Sequence, residues 1–148
     1  MDGKAYSFSA PCSTGKSTHT SLWLKLFGER AFIINDDKAA YRKIDGRYYI
    51  FGTPFSGKND INVNTSAELG AVCFIEQSPV NSIERVAPDD AVSLIISQTV
   101  RPANPDRMIL LCDFLNEFIS DVPIYKLKCN ISLEAAELSY KTMSQGLL

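Results

Sequence analysis

The residues most able to do chemistry sit in Ala10-Pro11-Cys12-Ser13-Thr14-Gly15-Lys16-Ser17, which fits the relaxed phosphate-binding pattern [AG]-x-x-x-x-G-K-[ST] with Ala10 at the first glycine position. Such a loop wraps an anion in successive backbone N–H groups and adds the partial positive charge of a helix N-terminus. Lys16 is then expected to reach the β- and γ-phosphates of a nucleotide, and the Ser17 hydroxyl to complete a Mg²⁺ shell. About twenty residues further on stand two adjacent acids, Asp36 and Asp37. One carboxylate can hold Mg²⁺ through water while the other takes a proton from an attacking hydroxyl. The plainer readings are a chance match in a strand–turn–helix and a solvated acidic turn. A second loop, Ser56-Gly57-Lys58, offers N–H groups and a cation to another anion, or is ordinary surface. His19, the one histidine, lacks a neighbouring carboxylate and reads as a packing or surface residue.

A phosphate loop needs a strand before it and a helix after it. Ala5–Ser9 reads as the strand, and Ser17–Phe27, closed by Gly28, as the helix, with Leu22, Trp23, Leu26 and Phe27 on one apolar face. Ala31-Phe32-Ile33-Ile34 is a continuous apolar run, expected to be a central strand that delivers the two acids at its C-terminal end. Asp45-Gly46, between Tyr41–Ile44 and Arg47–Ile50, predicts a hairpin with a type I′ turn. Ala71–Ile75 reads as a buried strand with Ser82–Val86 beside it. Helices are expected from Pro88 to about Thr99 and from Asn104 onward, the second with Met108, Leu111, Cys112, Leu115, Phe118 and Ile119 inward. Pro123–Cys129 alternates like a half-exposed strand. Ser132 then caps a last helix with Leu133, Ala136, Tyr140 and Met143 inward and a Glu137–Lys141 pair outward. At the start, Asp2-Gly3 is a hairpin-type turn with almost nothing before it to form the other arm. Met1 therefore opens a fragment, or the first strand is an edge awaiting a partner, or the terminus is frayed.

The totals bound the classes. The chain's 148 residues suffice for one domain with a real core, at 45% hydrophobic and 22% charged residues. A net charge of −2 gives no non-specific grip on nucleic acid or anionic lipid. No apolar run approaches the ~18 residues of a membrane span, and no signal peptide is legible. The four cysteines, Cys12, Cys73, Cys112 and Cys129, are far apart, which argues against zinc or a disulfide framework and for a cytoplasmic location. The last three fall in apolar patterns and are expected to be buried and inert, whereas Cys12 in the loop is expected to be the reactive thiol.

The loop, the closely following acidic pair, Ile61-Asn62-Val63 and Arg101-Pro102, in that order, resemble the kinase domain of HPr kinase/phosphorylase and its relatives. Ser-Thr-His-Thr after Lys16, Asn-Asp-Asp-Lys and Gly-Thr-Pro-Phe-Ser-Gly-Lys are similar to uncharacterised proteins related to that kinase. The resemblance spans roughly Tyr6 to Leu111. It implies a single α/β phosphate-loop domain over 1–148, of the type shared with phosphoenolpyruvate carboxykinase, with a mixed sheet, flanking helices and an N-terminal part missing. It implies that Ala10, Pro11, Cys12, Ser13, Thr14, Gly15, Lys16, Ser17 and Thr18 bind ATP, that Ser17 and Asp36 hold Mg²⁺, and that Asp37 and Arg101 are catalytic, Asp37 as general base and Arg101 near the transferred phosphate. The implied activity is phosphate transfer to a serine or small hydroxyl acceptor, with neither nucleic acid nor membrane as partner and a homo-oligomer left open. The chain departs from that family at Ser13, where glycine is usual, and lacks its histidine before the loop and its extended arginine-loop signature. A small-molecule kinase of the shikimate or adenylylsulfate type and a non-catalytic nucleotide-binding domain remain alternatives.

Overall fold

A computed structural model describes residues 1–11 and 14–145. Its spine is β4 (Ser66–Gln77), a strand buried from Leu69 to Ile75. β1 (Lys4–Ser9) runs parallel along one edge of β4, from Lys4 opposite Glu68 to Ser9 opposite Phe74. Glu68 also pairs with Tyr49, and Val72 with both Ser7 and Ile124, so two further strands lie end to end on the other edge. These are β3 (Arg47–Phe51), antiparallel to the start of β4, and β6 (Ile124–Cys129), parallel to its second half. β2 (Ala40–Ile44) closes a hairpin on β3, and β5 (Ser82–Arg85) runs antiparallel to β6. The result is a six-stranded sheet, mixed as the resemblance implies.

The strand pattern of β4 changes phase once. Its register with β1 slips between Ala5 and Tyr6, passing over Gly70, so Leu69 and Val72 face the same side. On that side α2 (Pro88–Ser97) and α3 (Pro105–Asp121) bury Ala91, Ile95, Leu115, Phe118 and Ile119 against Val72, Phe74 and Ile124. On the other, α4 (Leu133–Gln145) covers Ala71, Cys73, Ile75 and Leu127, and α1 (Lys16–Phe27) packs beside α4 with His19 and Trp23 against Tyr6 and Phe8 of β1. The helix ends follow from local chemistry. Pro88 and Pro105 start α2 and α3 where a missing N–H costs nothing, the Asn104 side chain accepts from Arg107 N at 3.0 Å, and Ser132 Oγ accepts from Ala135 N at 3.3 Å. Asp45 and Gly46 both take positive φ, which is the type I′ turn the dipeptide predicts.

Several expectations are corrected. Ala31–Ile34 does not form a strand: Phe32 is 62% exposed, and the only ladder contact nearby is an isolated bridge between Asn35 and Asn62. Four apolar residues carry no period, and here they find one short partner segment, through Val63 N to Ile34 O and Asp36 N to Ile61 O. Among the described residues β1 therefore keeps one edge without a ladder partner. β5 does not lie beside β4, because β6 takes that place. Cys112 and Leu133 are exposed rather than inward, whereas Cys73 and Cys129 are buried and burial pushes both thiols up. Cys12 lies outside the described residues.

Gly52 is where this scaffold is tightest. A Cβ there would lie 1.9 Å from Val63 O and 3.3 Å from Ile34 O, so three backbone segments meet at a point only glycine permits. Gly52→Ala is expected to destabilise the fold by about 3 kcal/mol, the scale of a forced core overpacking. Urea unfolding of the variant checks this, and a midpoint equal to wild type would refute the close approach.

Candidate functional site

The loop after β1 leads directly into α1, whose start is built for an anion. Gly15 is the N-cap at φ 104°, a left-handed value that disfavours any residue with a Cβ. Among the described residues no side chain caps the helix, and no acid lies in its first turn. Its first intrahelical bond is His19 N to Gly15 O, so among the described residues the N–H groups of Lys16, Ser17 and Thr18 have no partner. Thr14 N bonds Pro11 O at 3.2 Å, Ala10 packs against the core, and Pro11, Ser17 and Thr18 are exposed. Cys12 and Ser13 lie outside the described residues.

The acids come to this same place although Ala31–Ile34 forms no strand. Lys16 Nζ lies 3.6 Å from Asp37 Oδ1, both side chains being part-exposed. An ion pair this open adds little stability, so its interest is position. Asp37 is held by its own neighbour: its N–H donates to Asn35 Oδ1 at 2.9 Å, while Asn35 Nδ2 donates to Thr53 O and Phe55 O. Asp36 does something the sequence does not reveal. Its carboxylate accepts Gly57 N at 2.6 Å and Asn59 N at 3.1 Å, so the second loop's N–H groups point at Asp36 and not outward to another anion. A carboxylate has about four acceptor positions, and two remain. Gly57 keeps this approach close, since a Cβ there would sit 3.2 Å from both Asp36 Oδ2 and Asp37 Cβ and the acids would have to shift by a few tenths of an ångström. Lys58 is exposed on the same loop.

Arg101 is exposed in the link between α2 and α3. Val86 N bonds Ile124 O just before α2, and α3 ends just before Ile124, so both helices meet the sheet at the start of β6. Among the described residues Arg101 makes no hydrogen bond or ion pair with Lys16, Asp36 or Asp37.

His19 has a structural task. It is 2% exposed, edge-on to Phe8, with Nε2 3.1 Å from Ser139 Oγ. Ser139 Oγ donates its single hydrogen to Ala136 O and accepts from Trp23 Nε1–H. The bond to His19 must then be donated by Nε2–H, leaving Nδ1 a bare acceptor without a partner among the described residues. Burial lowers the His19 pKa to about 4, so the ring is neutral at pH 7. The unfolded ring takes up a proton below pH 6.5 and the folded ring only near pH 4. Stability is thus fully present above about 6.5 and lost as pH falls through this window, by about 3 kcal/mol. His19→Gln is expected to lack this component. Urea unfolding from pH 7 to 4 reads it as the wild-type-minus-variant difference, and parallel pH curves would refute it. Ser139 was out of reach of the sequence, because a helix serine carries no sign that two donors from another helix converge on it.

The chain matches no family model, no curated protein and no solved structure.

Proposed function

We propose that the chain is an ATP-binding phosphotransferase of the HPr kinase-like phosphate-loop type, acting with Mg²⁺ on a serine or small hydroxyl acceptor. The observation that carries this reading is the meeting of Lys16 and Asp37 at the uncapped start of α1. A lysine, three N–H groups without a partner among the described residues and a carboxylate at the end of a parallel strand pair together match what phosphoryl transfer requires.

In this reading the α1 N-terminus and Lys16 cradle the phosphates. Ser17 and Asp36 supply only oxygen donors, the set that suits a hard divalent cation. Mg²⁺, when bound, would neutralise charge on the phosphates. Asp36 keeps two acceptor positions for water on the metal while its others tie down the 56–59 loop. Asp37, oriented by Asn35 and beside Lys16, is placed to take the proton of an acceptor hydroxyl. Arg101 approaches from the α2–α3 link to meet charge on the transferred group. A calorimetric titration with Mg·ATP, Mg·ADP and pyrophosphate tests the reading. Saturable, Mg-dependent binding of all three is expected, and binding of none would refute it.

A further inference from the structure

A cavity of about 600 Å³ opens beside the loop, and beyond Thr14, Gly15 and Thr18 its lining takes no part in the phosphate chemistry above. Thr14 and Gly15 form its mouth on the phosphate side. Leu22, Ile75 and Cys129 make an apolar floor between α1 and the ends of β4 and β6. Its volume lies within the ~300–1,000 Å³ of small-ligand sites. Resting on the nucleotide-binding reading, we propose that this cavity seats the adenine and ribose of the nucleotide, with Gln77 reading the base.

Three features of the lining select that occupant. No lining residue carries a charge, His19 being neutral, so the cavity suits a neutral group and not a second phosphate. Pro79 and Ile131 form its lips, and Ile131 is 79% exposed, an apolar side chain left uncovered where a planar ring would cover it. The lip is also built in advance: Asn130 Nδ2 donates to Pro79 O and Asn130 N to Asn81 Oδ1, while Asn81 Nδ2 reaches Ser132 and Glu134 at the start of α4. A preformed rim avoids ordering cost on binding.

Gln77 ends β4 at the cavity edge, and among the described residues its amide makes no hydrogen bond. An amide offers one donor and one acceptor side by side, which is the complement of adenine N7 and its amino group. Guanine presents a different edge, and the lining holds no carboxylate to take its N1 and amino hydrogens. The shared border at Thr14 and Gly15 lets one ligand extend from cavity to loop.

The test uses calorimetry on the whole chain with Mg·ATP, Mg·GTP and magnesium tripolyphosphate, for wild type, Gln77→Ala and Ile131→Asp. Both positions are exposed, so the variants are expected to fold. Wild type should bind Mg·ATP at least tenfold more tightly than either other ligand. Each variant should lose about tenfold for Mg·ATP and keep its tripolyphosphate affinity. If wild type binds ATP and tripolyphosphate equally, or the variants leave ATP affinity unchanged, the cavity assignment falls while the phosphate-loop reading stands. Equal affinity for GTP and ATP overturns the role of Gln77. If tripolyphosphate and ATP both fail to bind, both readings fall together.

Discussion

Asp37→Asn is expected to slow phosphate transfer by about 10²–10⁴-fold, the usual contribution of a positioned general base, while leaving Mg·ATP affinity near wild type. The variant keeps the size of the side chain and removes its basicity. Asn35 still orients the backbone at residue 37, so the loss is chemical and not a local unfolding. Slow release of inorganic phosphate from Mg·ATP, with water as acceptor, gives a readout that needs no knowledge of the natural acceptor. Asp36→Asn should behave differently. An amide can accept one of the two N–H groups from Gly57 and Asn59 but meets the other with its own donor, so the 56–59 loop loosens. Mg-dependence of nucleotide affinity should fall with it. The opposite pattern in the two variants would exchange their roles, and no effect from either would return the pair to a surface turn.

The sequence reveals what is written locally. The type I′ dipeptide, the proline-started helices, the Ser132 cap and the glycine–lysine start of α1 all depend on residues within a few positions of one another, and the structure has each of them. The strand assigned to Ala31–Ile34 fails for the complementary reason. Apolarity reports a tendency to be buried, but a strand needs a partner edge, and which edge is available is a property of the whole sheet. The same holds for Cys112, which fits the apolar stripe of α3 yet lies on the side that α2 and the sheet leave uncovered. At the site, Lys16 and Asp37 were legible as types and spacing. The grip of Asp36 on Gly57 and Asn59, and the convergence of Trp23 and His19 on Ser139, join residues 21 to 120 positions apart and leave no periodic trace.

Lys16 carries the central claim, that the start of α1 holds nucleotide phosphates. A charged hydrogen bond to phosphate is worth about 1.5–3 kcal/mol, so Lys16→Ala should weaken Mg·ATP on the order of 100-fold. Its partner Asp37 is part-exposed and can be solvated when the lysine is gone, so the fold should survive the change. The measurement is thermal unfolding of wild type and Lys16→Ala, with and without Mg·ATP at about 100 times the wild-type Kd. Ligand at that level stabilises by about 2.7 kcal/mol, a rise of about 5–10 °C in Tm for a chain of this size. The account predicts that rise for wild type and only about 1–2 °C for the folded variant. Equal Tm shifts for the two proteins would contradict it.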